Sequence, residues 1–267
     1  MKPPPFRYEA PVALEECIAL LGEHGDEAKP LAGGQSLVPL MNLRLAAPAM
    51  LVDLNRVAEL SYVREVDGGV AIGAMTRHCE VADSPLVRER CPLLADAVAL
   101  VGYPAIRNRG TLGGSLAHAD PVAEIPCVAL ALDAVLVVAG PGGRREIAAA
   151  DFFEGFLATA LEPDELLVEA RFPATAAAAF REFSRKSGDF AVAAAAVDVA
   201  LSGGVVERAR IALAGAADRP VRAREAEAAL AGGPLDERSI AAAAALVPGE
   251  LPPVMARRAL EAIGGVT

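Results

Sequence analysis

The stretch Arg107-Asn-Arg-Gly-Thr-Leu-Gly-Gly-Ser-Leu-Ala-His-Ala-Asp-Pro-Val-Ala-Glu124 decides how this chain is read. It joins an adjacent glycine pair, Gly113 and Gly114, to the hydroxyl or acid side chains of Thr111, Ser115 and Asp120, and to His118 and Pro121. Lacking Cβ, the pair can take positive φ and let another molecule approach the backbone. Successive N–H groups in such a turn point inward and make a concave anion site. Asp120 before Pro121 predicts a helix start, with proline in the first helical position. A tight turn leading into a capped helix accounts for the same residues without any ligand.

A second segment has the same character. Leu31-Ala-Gly-Gly-Gln-Ser-Leu places Gly33 and Gly34 before Ser36 and Leu37, where a short helix is expected to begin, with apolar positions at Leu37, Leu40, Met41 and Leu45. Unpaired N–H groups and the helix dipole favour a phosphate at such a start. Two glycine segments in one domain can grip a diphosphate from both sides. Neither contains G-x-G-x-x-G, and Lys186-Ser187 follows Arg185 rather than glycine, so no P-loop is present. Two ordinary turns remain the alternative.

Around these segments the chain alternates helical and strand patterns. Residues 11–25 read as an amphipathic helix, with Leu14, Cys17, Ile18 and Leu21 on one face. Residues 50–54 read as a strand, and 62–66 with 70–74 as a hairpin about Asp67-Gly68-Gly69. Helices are expected at 76–87, 92–101, 121–132 and 152–160, and strands at 134–139, 145–148 and 166–172. The run Pro173-Ala-Thr-Ala-Ala-Ala-Ala179 reads as a linker. Beyond it, strands at 180–184, 192–201 and 205–214 form a meander, followed by helices at 224–231, 236–246 and 253–263. The pattern predicts a boundary near residue 175, between a mixed α/β part and a smaller α+β domain.

Composition limits the function. The 267 residues are 54% hydrophobic, so a substantial core is expected, and the net charge is −10. An acidic chain is poorly suited to the phosphate backbone of nucleic acid, so no nucleic-acid partner is expected. The opening residues have no apolar core of a signal peptide, and the best apolar run, 125–139, is short and contains Asp133. A cytoplasmic chain without membrane insertion is expected. The four cysteines and three histidines are scattered, with no C-x-x-C and no zinc or iron–sulfur spacing, so no metal ligands are assigned.

The motifs Ala32-Gly-Gly-Gln-Ser, Asn42-Leu-Arg-Leu and Thr111-Leu-Gly-Gly-Ser-Leu-Ala-His-Ala-Asp-Pro resemble the FAD-binding subunit of the xanthine dehydrogenase and carbon monoxide dehydrogenase family, the medium chains of molybdenum hydroxylases. The resemblance covers nearly the whole chain. Pro5-Phe-Arg-Tyr resembles the family's N-terminus, and Gly215-Ala-Ala-Asp-Arg-Pro-Val-Arg its C-terminal domain. It implies an α+β protein: a two-subdomain α/β FAD-binding domain of PCMH type at 1–175, with subdomains of about 1–57 and 58–175. A C-terminal flavoprotein domain at 176–267 follows, with a three-stranded antiparallel sheet and helices.

The resemblance also implies roles. Ala32, Gly33, Gly34, Gln35, Ser36 and Leu37, with Thr111, Gly113, Gly114 and Ser115, would wrap the FAD diphosphate. His118, Asp120 and Glu124 fall at the flavin end and its linker, although His118 also suits a plain turn and Glu124 a helix first turn. Leu167 falls near the isoalloxazine, or is ordinary core. Lys186 falls where a cation sits near the flavin, or is solvated surface. Phe190 lies where relatives often carry a tyrosine over the ring. No catalytic residue is assigned. The implied partners are a small [2Fe-2S] subunit and a large molybdopterin subunit, in a dimer of heterotrimers, with FAD passing electrons to NAD or another acceptor. A self-contained flavin oxidoreductase on the same fold is the alternative.

Overall fold

The computed structural model describes residues 2–175 and 177–265. Ala176, in the expected linker, lies outside them. The chain begins with a parallel three-stranded sheet. Met50–Asp53 is central, with Arg7–Glu9 and Ala28–Leu31 on either side. All four residues of Met50–Asp53 are buried, as a strand covered on both faces requires. The helix Leu14–His24 supplies one cover through Leu14, Cys17 and Leu21.

The second sheet is antiparallel. Its order is Val63–Val66, Gly69–Gly73, Leu166–Pro173, Val135–Gly140 and Gly143–Ala148. The expected hairpin at 62–74 and the strands expected at 134–139 and 145–148, which pair with each other, thus flank the strand that closes the first part of the chain. A bulge between Leu167 and Glu169 shifts the register of that central strand. Helices cover the sheet. The helical pattern expected over 76–87 divides into His78–Asp83 and Pro85–Arg90, because Ser84 accepts from Val87 N–H and Pro85 starts a new helix. Pro92–Leu100 follows as expected.

The third sheet orders Ala177–Ser184, Ala191–Ser202, Val205–Ala214 and Val221–Arg222. The expected three-stranded meander gains a two-residue strand at its edge. Alanine dominates Ala191–Ser202 because both faces are covered. Ala194 and Ala196 belong to the core shared with the helix Glu124–Ala131, and Ala193, Ala195 and Val197 to the core under Arg224–Leu230 and Pro252–Gly264. Alternate residues point to opposite faces, and small side chains let helices pack closely on each. Glu124–Ala131 is buried along its whole length between the second and third sheets. That is the environment of a helix apolar all round.

Three expectations are corrected. Gly113 and Gly114 lie in the first turns of a helix, Leu112–His118, not in a positive-φ turn. The helix expected from Pro121 starts instead at Glu124. The Asp120 carboxylate accepts from Val122 N–H at 3.0 Å and its carbonyl from Ala123 N–H at 3.1 Å, a local turn that competes with helix. Only Ala149–Phe152 is helical where 152–160 was expected to be. Phe153–Gly155 and Ala158–Thr159 form a hairpin, with Leu157 at φ 54° and Arg219 donating to the carbonyls of Phe153 and Glu154.

Candidate cofactor site

Both glycine segments open onto one cavity of about 590 Å³. Ala32, Gly33, Gly34, Gln35, Ser36 and Leu37 line it from the first segment. Thr111, Gly113, Gly114, Ser115, His118, Asp120 and Glu124 line it from the second, and Leu167 from the central strand of the second sheet. Lys186 does not line this cavity, and its side chain is exposed. Its carbonyl accepts from Ser184 Oγ at 3.1 Å and from Asp189 N–H at 3.0 Å, and that turn carries Gly188, Asp189 and Phe190 to the wall instead. Phe190 is 75% exposed, a ring available to a ligand.

The first segment is a nest of backbone N–H groups. Gly34 has φ 73°, a conformation that favours glycine. Among the described residues, no acceptor meets the backbone N–H of Gly33, Gly34, Gln35 or Ser36. The helix Leu37–Asn42 follows directly, and Ser36 makes no side-chain cap. Leu45, expected on its apolar face, lies past the helix end and is 73% exposed.

The second segment has the opposite economy of hydrogen bonds. Leu112 N–H donates to Thr76 O at 3.0 Å and Gly113 N–H to Ala74 O at 2.8 Å. Gly114 N–H donates to Thr111 Oγ1 at 3.1 Å, and Ser115 N–H to Thr111 O at 3.1 Å. Its glycines serve close packing. A Cβ on Gly113 would stand 2.5 Å from that of Ala74, and one on Gly114 2.7 Å from Thr111 Oγ1. The two segments also touch each other, since a Cβ on Gly33 would stand 2.3 Å from Arg109 O.

Sequence reasoning missed His78. It is 5% exposed and lines the cavity, and its Nε2 lies 2.8 Å from Thr111 O. A carbonyl only accepts, so Nε2 carries the proton and Nδ1 is a bare acceptor. That buried Nδ1 has no partner. Burial lowers the His78 pKa to about 4. Nothing in the sequence around His78 marks it, because its partner is 33 residues away. Glu124 is 8% exposed, and burial, with the Glu182 and Asp120 carboxylates nearby, raises its pKa to about 7. Burial also lowers the pKa of His118.

The residues fit FAD. The volume lies in the range of small-molecule and cofactor pockets, largely apolar with a few placed polar groups. Leu40, Leu54, Leu161, Leu166 and Leu167 supply apolar wall, and the four unpaired N–H groups of the nest would suit a diphosphate. Among the described residues, no three His, Cys, Asp or Glu side chains cluster to hold a metal, and no helix is long and apolar enough to cross a membrane.

Residues 4–175 match the family described as FAD binding domain in molybdopterin dehydrogenase, and residues 178–262 the CO dehydrogenase flavoprotein C-terminal domain. The chain is 44% identical to the 6-hydroxypseudooxynicotine dehydrogenase complex subunit alpha of Paenarthrobacter nicotinovorans, over 95% of this chain and 87% of that one. It is 46% identical to the carbon monoxide dehydrogenase medium chain of Hydrogenophaga pseudoflava, over 83% of this chain and 78% of that one. A solved structure of carbon monoxide dehydrogenase from Hydrogenophaga pseudoflava superposes with a TM-score of 0.96 at 43% identity, covering 100% of this chain and 99% of that one. Quinoline 2-oxidoreductase from Pseudomonas putida 86 superposes with a TM-score of 0.94 at 38% identity, covering 100% of this chain and 99% of that one. The chain belongs to the carbon monoxide dehydrogenase and xanthine dehydrogenase family, as the FAD-binding medium subunit of a molybdenum hydroxylase-like complex.

Proposed function

We propose that this subunit relays electrons from the [2Fe-2S] clusters of a small partner subunit to NAD or another acceptor. In this reading a large molybdopterin subunit hydroxylates the substrate, and no residue of this chain touches it. The assembly is a dimer of heterotrimers in the cytoplasm. Bound flavin supplies the chemistry of accepting electrons singly and passing on a pair.

The nest carries the reading. Gly33, Gly34, Gln35 and Ser36 offer four N–H groups to a diphosphate, at the wall of a cavity of about 590 Å³. Thr111, Gly113, Gly114 and Ser115 form the facing wall. There the glycines let the helix lie close against Ala74 and Thr111, and Ser115 offers its hydroxyl. Asp120 and Glu124 accept from ribose or ribityl hydroxyls, and His118 packs beside them. Leu167 and Phe190 would supply apolar contact to the flavin ring. Lys186 contributes positive charge from the exposed turn that carries Phe190. The division into an FAD-binding domain at 1–175, with subdomains of about 1–57 and 58–175, and a C-terminal domain at 176–267 is supported by the separate sheets and by the two matched segments.

The purified full chain, reconstituted with FAD, is expected to show flavin absorption. Reduction of the complex by its substrate is expected to bleach that absorption, and addition of acceptor to restore it. No flavin uptake would overturn the reading. Rapid oxidation of a small molecule by this chain alone would replace it with a self-contained flavin oxidoreductase.

A further inference from the structure

Two side-chain amides hold carbonyls of the first glycine segment. Asn55 Nδ2 donates to the carbonyl of Ala32 at 3.0 Å, and Gln35 Nε2 donates to the carbonyl of Gly33 at 3.0 Å. No peptide bond among the described residues is cis. In a trans peptide the C=O and N–H point in opposite directions. Drawing the carbonyls of Ala32 and Gly33 toward the amides therefore turns the N–H groups of Gly33 and Gly34 the other way. Those are the first two N–H groups of the nest.

Asn55 is itself fixed through its backbone N–H and both polar atoms of its side chain. Its backbone N–H donates to Asp53 Oδ1 at 2.9 Å, and its side-chain carbonyl accepts from Arg77 Nη2 at 2.5 Å. Its amide nitrogen is shared between Ala32 O and Asp53 Oδ1. Tyr8 donates to the other oxygen of Asp53, which is 8% exposed. Arg77 uses its second terminal nitrogen on Arg109 O, the carbonyl that lies against Gly33. One chain of hydrogen bonds thus runs from Asp53 through Asn55 and Arg77. It ties Ala32 in the first segment to Arg109 at the approach to the second.

We propose that Asn55 and Gln35 are positioning residues of the cofactor site, setting the two peptide planes through which the nest receives the FAD diphosphate. Neither side chain needs to touch the cofactor. Each acts by holding a carbonyl away from the anion, which would otherwise meet a negative oxygen in place of an N–H. Arg77 keeps Asn55 in its rotamer and the two segments in register. The proposal rests on the FAD reading above.

The test separates the diphosphate from the ring. The full-length chain is titrated with FAD, with ADP, which has the diphosphate and no flavin, and with riboflavin, which has the flavin ring and no phosphate. Asn55→Leu and Gln35→Met are each expected to weaken FAD and ADP about tenfold, the size of one lost oriented hydrogen bond, and to leave riboflavin within about twofold. Gln35 is exposed, so Gln35→Met keeps the fold and decides the matter if Asn55→Leu does not fold. Unchanged ADP affinity in the folded variants overturns the proposal. So does an equal loss for ADP and riboflavin, which would mean general damage to the cavity. Failure of the wild-type chain to bind either FAD or ADP removes the cofactor reading and this proposal with it. Normal wild-type binding with unaffected variants removes this proposal alone.

Discussion

The segments at 32–36 and 111–115 each bring a glycine pair to the same cavity, and they use it differently. In the first, Gly34 takes φ 73° and four consecutive N–H groups are left free for a ligand. In the second, the pair is helical and its N–H groups are consumed by Ala74 O and Thr111 Oγ1. One pair leaves its amides unpaired at the cavity wall. The other makes a thin wall, letting a helix lie against Ala74 with no side chain in the way. A glycine pair therefore has no fixed meaning: what matters is whether its amides are spent inside the protein.

The largest effect is expected at the contact between the two segments. In Gly33→Ala the new Cβ would stand 2.3 Å from Arg109 O, a backbone atom that cannot swing aside. The segments must separate, and FAD affinity, read by quenching of flavin fluorescence, is expected to fall by roughly a hundredfold or more. If Gly113→Ala in a folded chain loses as much, the two segments do not differ as described.

The next effect concerns pH and belongs to the second segment and its neighbours. Glu124 has a folded pKa of about 7 against the usual 4.5, so its contribution is complete below pH 4.5 and is lost as pH rises through 7. His78 has a folded pKa of about 4 against the usual 6.5, so its contribution is complete above pH 6.5 and is lost as pH falls through 4. Each is worth roughly 3 kcal/mol, with opposite slopes that offset one another between about pH 4.5 and 6.5. In Glu124→Gln the slope of His78, which that of His118 reinforces, should lose the opposing slope of Glu124. Urea melts of the FAD-free chain should show stability falling steadily from pH 6.5 to 4, and a gain of roughly 3 kcal/mol over wild type at pH 8. A variant with the wild-type pH profile would show that burial of Glu124 is not felt.

Smaller again is Gly113→Ala, whose Cβ would crowd Ala74 at 2.5 Å. Overpacking of this kind costs about 1–3 kcal/mol, visible as a lower urea midpoint. Thr111→Ala removes the cap on Gly114 N–H and should cost about 1 kcal/mol in the same experiment. It also frees one amide toward the cavity. A rise in ADP affinity beside that loss of stability would sharpen the contrast between a spent and an unspent nest.

Much of the fold was legible because its signals are local. The alternation in 205–214, the turn at Asp67-Gly68 and the proline at 92 each act within a few residues, and the strands and helix they predict are present. Misreadings came where local signals competed. Asp120-Pro121 resembles a helix cap, yet the Asp120 carboxylate closes a turn on Val122 and delays the helix to Glu124. Residues 152–160 have a helical apolar spacing, but Arg219, more than sixty residues on, binds the carbonyls of Phe153 and Glu154 outside any helix.

By itself the sequence determined which side chains are small, apolar or polar at each position, and so the element order, the two glycine segments and the family they belong to. Tertiary structure alone decided which amides stay free. Whether Gly33 or Gly113 has a spare N–H depends on Ala74, Asn55 and Arg109, which approach from other parts of the chain. It also decided the protonation of His78 and Glu124, because desolvation arises from everything packed around a group and not from its neighbours in sequence.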